Sequence, residues 1–503
     1  MLLHDLLRAL DSRLLHAALP NPQISAIYED SRQITPGSLF VARNGTKSDG
    51  RAFLADAAAR GAVAAIVPTP SNEKLDPSPL PQIVVTDPGS AASKLANILA
   101  GRPSQTVKVL GVTGTNGKTT TAYLVQHLLR KTGRSCGLVG TVQIDDGKKS
   151  WEATMTTPSA TEIAGLLAAM RDNAAAACAM EVSSHALDQG RAAGVHFAAA
   201  AFTNLTGDHL DYHKDMENYA AAKARLFESL DPDATAIVNT QSPASDRMIR
   251  NCRAKILRFG FAPSAHFRAT QISITSQGSR FHLTTPDGTA PVSMGLIGKY
   301  NIENALAAAA LVTTTFGLSA SQIADGLSDA IGAPGRLQAV RAGQPFAVLV
   351  DYAHTDDALE NVLTALRPLT QREGFPSRGK LRVLFGCGGD RDRTKRPRMA
   401  AVAERLADAV YVTSDNPRTE MPLAIITDIV AGFSPEFRQS TRAIVELDRR
   451  TAITRVLADA QSGDVVLLAG KGHENYQIIG QVKHHFDDVE EATRLLSKHS
   501  RAA

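Results

Sequence analysis

The stretch GVTGTNGKTTT, residues 111–121, follows the apolar run VKVL and precedes the helical run AYLVQHLLRK. Residues 107–114 read as a buried strand, and residues 119–131 as a helix stopped by Gly133. A glycine-rich turn in that setting makes a phosphate cradle. Bare backbone N–H groups crowd round an anion, and the helix start adds partial positive charge. The nucleotide-binding candidates are Gly114, Thr115, Asn116, Gly117, Lys118, Thr119 and Thr120. Lys118 would neutralise β- and γ-phosphate oxygens, and the Thr119 hydroxyl would meet Mg²⁺. One position departs from the general pattern, which wants glycine five residues before Gly117: Val112 stands there, and Gly111 is one further back. The competing reading is a tight strand-to-helix turn with no ligand. Even a true phosphate loop does not name the reaction, because motors, GTPases and kinases share it.

Outward from this loop, apolar strands are expected at CAMEVS (178–183), AAAFTN (199–204) and TAIVN (235–239), with helices between. That alternation predicts a mostly parallel sheet covered by helices. Residues 268–297 alternate with period two, as an antiparallel addition would. A second series begins near Phe346: FAVLVDYAH, LRVLFGCGG, AVYVTSDNP and DVVLLAGKG. Each strand ends in a small or polar cluster, and the carboxyl ends of open parallel sheets are where ligands sit. The expected fold is α/β in three domains. Residues 1–100 mix short helices and strands, with a Pro-rich loop at 68–81; 101–334 form a central P-loop ATPase-type sheet; 335–503 form a Rossmann-like domain, with the boundary near Pro334–Gly335.

The bulk numbers agree with such an enzyme. At 503 residues the chain exceeds one ordinary core. Its 54 basic and 50 acidic residues nearly balance at +4, and no basic run is dense enough for a nucleic-acid groove. Cys136, Cys178, Cys252 and Cys387 are scattered without a CxxC pair, which points to a reducing cytoplasm rather than a disulfide framework or zinc site. Asp5, Arg8, Asp11 and Arg13 interrupt the apolar N-terminus too often for a signal sequence or a membrane span.

The loop form GTNGKTT (114–120) is accompanied by an ordered set of blocks: AMEVSSHALDQGR (179–191), FTNLTGDHLDYH (202–213), AAKARLF (221–227), GKYNIENALAA (298–308), PGR (334–336), VDYAHT (350–355), FGCGGDRDR (385–393), SDNPRTE (414–420) and AGKGHENYQ (469–477). Across almost the whole chain this set resembles the Mur ligase family, and within it the members that add diaminopimelate. The resemblance implies that ATP phosphorylates a carboxylate and that an amine attacks the acyl phosphate to leave an amide, ADP and phosphate. It makes Lys118, Glu181, His209 and Lys223 the catalytic set, with Thr119, Glu181 and His209 around Mg²⁺ and Lys223 N-carboxylated. On pattern alone Lys223 is a solvated helix lysine. Asn301 and Asn304 would lie on the adenine side, with Arg336 and Asp351 near the phosphates and ribose. Ser31, in the DSR at 30–32, and the run LFVARNGTKSDGRAF (39–53) would grip the UDP end of a UDP-MurNAc-dipeptide. Thr156, Thr157, Ser183, Gln189 and Arg191 would hold its muramoyl-peptide. The protein would act as a monomer on small molecules.

Diaminopimelate differs from lysine by a carboxylate on its far amino-bearing carbon, so a site selecting it needs a fixed, forked cation. Arg418 is the candidate, with Asp415, Asn416 and Pro417 beside it after the strand AVYVT. Arg391, Gly470 and Glu474 complete the pocket that the resemblance implies. The plainer reading of DNPR is a turn with arginine in solvent, and of DRDRTKRPR (390–398) a solvated helix start. Three rivals remain: a lysine-adding homologue, a folylpolyglutamate synthetase, and a non-catalytic nucleotide-binding scaffold.

Overall fold

A computed structural model describes residues 1–15, 19–43, 49–69, 78–275, 277–370 and 379–499. Residues 44–48 of the LFVARNGTKSDGRAF run and 70–77 of the Pro-rich loop lie outside the described residues. The chain is α/β, and its two large sheets are parallel at their centres. By contact density it divides into two compact units. One comprises Met1–Thr270, Leu283–Ala290 and Glu303–Gly326; the other comprises Gln271–His282, Pro291–Ile302 and Leu327–Ala503.

The first unit holds two sheets. The strands Ala26–Tyr28, Ser38–Val41, Ala62–Pro68 and Gln82–Val85 form a small parallel sheet. The helix Leu3–Leu10 turns Leu3, Leu6 and Leu7 onto it, as their helical spacing predicts. Ala160 and Ala164 belong to the same core, because the helix Pro88–Leu99 packs on the helix Ala160–Asp172. Those shared contacts draw the first hundred residues into one unit with the central sheet.

The central sheet runs Lys255–Gly260, Thr235–Asn239, Phe197–Phe202, Lys108–Thr113, Ala177–Glu181, Cys136–Val139, all parallel. Lys108–Thr113 comes first in the chain. The next two strands are added on one side of it and the later ones on the other, so its carboxyl end is a switch point where a crevice opens. Antiparallel strands Gln143–Asp145 and Ser150–Glu152 extend one edge. The period-two segment forms Phe267–Thr275, Gly278–Thr285 and Gly288–Met294, shared between the two units; its start, Phe267 and Arg268, joins Lys255–Gly260 in parallel rather than antiparallel as expected. Only two residues join the last pair, a link that antiparallel strands alone permit.

The second unit contains a six-stranded sheet in the order Gln338–Val340, Ala347–Asp351, Val465–Ala469, Leu381–Phe385, Ala409–Val412, Ala443–Val445. The first strand is antiparallel and the rest are parallel. Among the described residues, no helix is long and apolar enough to cross a membrane.

Candidate active site

The phosphate loop leaves Thr113 between two neighbouring strands. Val112 is in register with Glu181 on one side, and Thr113 with Phe202 on the other. Gly114 and Gly117 take φ of 152° and 86°. A side chain at Gly117 would meet Asn304 Oδ1 at 2.3 Å, and one at Gly114 would meet Thr203 Oγ1 at 1.9 Å. The positive φ at both positions favours glycine, and a side chain at either would also displace Asn304 or Thr203. Thr203 Oγ1 donates to the Asn116 carbonyl at 2.6 Å, and Asn116 N donates to Asn204 Oδ1 at 3.0 Å. Thr115 Oγ1 lies 3.2 Å from the Tyr219 hydroxyl. Thr120, buried in the first helical turn, completes the loop.

Two lysines converge on this loop. Lys118 Nζ donates to the Gly114 and Thr115 carbonyls at 2.9 and 2.8 Å. Lys223 Nζ donates to the same Gly114 carbonyl at 2.8 Å and lies 4.4 Å from the Tyr219 ring centre. Lys223 is 1% exposed, so the solvated helix lysine read from pattern alone is corrected: its helix, Met216–Glu228, turns that face inward. Burial, and then the Lys118 charge, hold the Lys223 amine well below the usual lysine range.

Glu181 is fully buried at the end of its strand. Its carboxylate accepts from Thr119 Oγ1 at 2.9 Å, Thr141 N at 2.8 Å and Thr141 Oγ1 at 3.1 Å. Thr141 escaped the sequence reading because nothing in its surroundings marks it. Thr156 Oγ1 lies 3.1 Å from Thr141 Oγ1, while Thr157 Oγ1 donates to the Glu181 carbonyl and accepts from Ser183 N. Arg191 clasps Gln189 Oε1 and the Thr157 carbonyl. Thr156, Thr157, Ser183, Gln189 and Arg191 thus form one connected group. Arg43 donates to the Gln189 carbonyl at 2.9 Å and to Glu29 at 2.7 Å, tying the small sheet to this group. Ser31 is buried, and its hydroxyl, followed by Arg60, lowers the pKa of Asp56.

His209 takes φ of 55° and packs its ring 4.9 Å from His185. Burial lowers its pKa and the charges of Lys118 and Lys223 lower it further, against the pull of Asp208. A neutral imidazole results, the form able to ligate a metal. Glu181 and Thr119 supply hard oxygen, and Mg²⁺ is commonly held by one or two carboxylates plus substrate phosphates. Thr119 and Glu181 fit that ion, whereas an imidazole such as His209 is a less usual ligand for it. Asn304 adjoins Gly117 and accepts from Thr121 Oγ1 at 3.4 Å, whereas Asn301 Nδ2 donates back to the Ile297 carbonyl.

The second unit carries the other candidates. Asp351 is buried and accepts from Leu337 N and Ala353 N, and burial raises its pKa. Arg336 stacks 4.9 Å from the Tyr352 ring centre, and Tyr352 packs against His354 and His473. Gly335 takes φ of 64°, and a side chain there would meet His473 N at 2.0 Å. After Val412 the chain places Asp415 and Asn416 in the interior. Asn416 Nδ2 donates to Glu474 Oε2 at 2.7 Å, and Asn416 Oδ1 accepts from Ile478 N at 2.9 Å. Gly470 N is anchored on the Asp351 carbonyl. Pro417 is buried, and Arg418, with φ of 52°, donates from Nη1 to the Gly389 carbonyl at 2.8 Å. Arg391 is exposed nearby, its Cγ and Arg418 Nη1 both flanking Gly388.

Two basic residues here were missed from sequence. Arg396 belongs to the run read as a solvated helix start, yet it is fully buried on Glu420, Asp428 and the Gly388 carbonyl. Lys471, also fully buried, sits among Asp415, Asn416 and Glu474. Its place between Gly470 and Glu474, straight after an apolar strand, was the available signal.

Three family models match the chain: Mur ligase family, catalytic domain, over residues 23–99; Mur ligase middle domain over 112–312; and Mur ligase, glutamate ligase domain, over 335–472. The chain is similar to the UDP-N-acetylmuramoyl-L-alanyl-D-glutamate–2,6-diaminopimelate ligase of Thermosynechococcus vestitus, with 45% identity over 486 residues covering 96% of this chain and 95% of that one. The protein of the same name from Bacillus velezensis is 42% identical over 482 residues, covering 95% of each. A solved structure of a ligase of that name superposes with a TM-score of 0.68 at 33% identity, covering 97% of this chain and 98% of that one. On this evidence the chain belongs to the Mur ligase family.

Proposed function

We propose that this protein is an ATP-dependent, ADP-forming ligase that joins meso-diaminopimelate to the D-glutamyl carboxylate of UDP-MurNAc-L-Ala-D-Glu, in peptidoglycan precursor synthesis. The observation that carries the reading is the meeting of Lys118, Lys223 and the Thr119–Glu181 pair at one strand end. Full-length similarity to ligases of that name supports the choice of substrates. Residues 1–100 take the UDP end, 101–334 the ATP and 335–503 the amino acid. The protein works as a monomer in the cytoplasm.

Lys118 leaves its two loop carbonyls for the β- and γ-phosphates, so the backbone N–H groups and the ammonium face the transferred group together. Thr119, Glu181 and His209 would hold Mg²⁺, which when bound would supply positive charge to the phosphoryl oxygens. Burial and the Lys118 charge disfavour an ammonium at Lys223, and a free amine is what reaction with CO₂ to a carbamate requires. Its product would be an oxygen-bearing anion beside the loop. Arg418 pairs with the far carboxylate of the amino acid, while Asp415, Asn416 and Glu474 take its ammonium. No protein nucleophile is needed; catalysis is positioning and electrostatics.

The decisive experiment follows oxygen-18 from the labelled D-glutamyl carboxylate. The label should appear in released phosphate, and ADP should form with diaminopimelate far faster than with lysine. Unlabelled phosphate would refute the acyl phosphate, and equal rates would refute the choice of amine.

A further inference from the structure

Lys471 is an unusual resident for a pocket built to receive a cation. Its side chain is 0% exposed, whereas Asp415 and Glu474 keep 11% and 16% of theirs exposed. The site presents its acids outward and hides its base behind them. Lys471 Nζ lies 3.3 Å from Asp415 Oδ1, 3.5 Å from Asn416 Oδ1 and 3.5 Å from Glu474 Oε2. All three acceptors belong to the proposed diaminopimelate pocket, and they come from two loops more than fifty residues apart in sequence.

Behind Lys471 a second buried cation closes the arrangement. Arg449 pairs with Asp488, both 0% exposed, and donates to the Ala469 carbonyl just ahead of Gly470 and Lys471. Asp415 and Glu474 feel its charge. The cluster therefore sets three carboxylates against two cations and keeps one negative charge. Like carboxylates brought together in a dry site ionise together only if a cation sits with them. Burial and the neighbouring Asp415 already raise the pKa of Glu474, with Lys471 pulling the other way.

We propose that Lys471 is a positioning residue for the amine substrate: its buried ammonium ties Asp415, Asn416 and Glu474 to one point, leaving the second carboxylate oxygens of Asp415 and Glu474 and one uncompensated negative charge for the substrate's non-reacting ammonium. This rests on the diaminopimelate-ligase reading above. The hidden cation does not touch substrate; it keeps the acceptors ionised and in register when the pocket is empty.

Steady-state kinetics of Lys471→Met in the whole protein test this. The expected result is at least a tenfold rise in KM for diaminopimelate, with KM for ATP and for the UDP-substrate changed less than twofold. A purely structural lysine would lower Tm and total active enzyme but leave the three KM values together. The pH profile separates the two further. Without Lys471, the Asp415–Glu474 pair gains protons at higher pH, though Arg449, His354 and Tyr352 still face it. KM for diaminopimelate should then climb steeply as pH falls from 8 to 6 in the variant and stay flat in the wild type. Lys471→Arg, which keeps the charge, should restore most of the affinity. Lys471→Gln, with a polar head and no charge, replaces the Met variant if that one fails to fold and should show the same rise. An unchanged diaminopimelate KM in either uncharged variant overturns the proposal. Wild-type protein inactive with diaminopimelate would instead overturn the functional reading itself.

Discussion

Replacing Lys223 by methionine separates a working group from a structural one. The thioether keeps the length of the lysine stem in a site that is 1% exposed, and volume-conserving swaps cost less than about 1.5 kcal/mol. The hydrogen bond to the Gly114 carbonyl is lost, a net contribution of about 1 kcal/mol. That carbonyl still accepts from Lys118 at 2.9 Å, so no buried acceptor is orphaned. Against these losses, a polar amine crowded by a second cation leaves the interior. Stability should stay within about 1 kcal/mol of wild type, a Tm shift of roughly 2–4 °C. Turnover should fall about 10²–10³-fold, as when a preorganised charged group is removed from a transition state. Thermal melts and a coupled ADP-release assay measure both. In CO₂-free buffer the sign with pH is fixed. The unfolded lysine holds its proton up to about 10.5 and the folded one gives it up earlier, so between those values the unfolded state binds more protons. Wild type should therefore gain stability on Lys223→Met as pH rises through that window. A melt lowered by more than about 10 °C would mark Lys223 as structural, and retained turnover would remove it from the mechanism.

Other outcomes follow from pairs already described. Arg449→Met leaves Asp488 buried without its partner and should destabilise by about 3–5 kcal/mol in urea unfolding, whereas Arg449→Met with Asp488→Leu should recover most of that. Arg418→Ala should weaken diaminopimelate turnover by about 2 kcal/mol or more, roughly 30-fold, with ATP affinity unchanged in a nucleotide-binding titration. A fall in nucleotide affinity would put Arg418 in the wrong site.

Patterns carried by local sequence were legible. Apolar runs ending in small or polar residues became the strands Lys108–Thr113, Ala177–Glu181, Ala347–Asp351 and Val465–Ala469, and the helix before Gly133 ends at Lys131. Hidden from view was the burial of charge. Lys223, Arg396 and Lys471 look like surface residues because helical or loop spacing says nothing of what packs over them. Only long-range partners, such as Gly114 for Lys223 and Asp415 for Lys471, take them inside. Asn301 shows the same limit. Its spacing from Asn304 places both near the helix start, and the structure adds a bond from its Nδ2 to the Ile297 carbonyl that the spacing did not announce.

Two amines share the Gly114 carbonyl, so a nucleotide that drew Lys118 away would make its own capture proton-linked. A triphosphate that drew Lys118 away and brought its own negative charge would weaken the repulsion Lys118 exerts on an ammonium at Lys223, leaving burial as the opposing influence. An unmodified Lys223 would then take up hydrogen ions from solution as the loop fills. The measured heat of association will accordingly vary with the ionisation enthalpy of the buffer, and prior capture of carbon dioxide at that amine will abolish the variation.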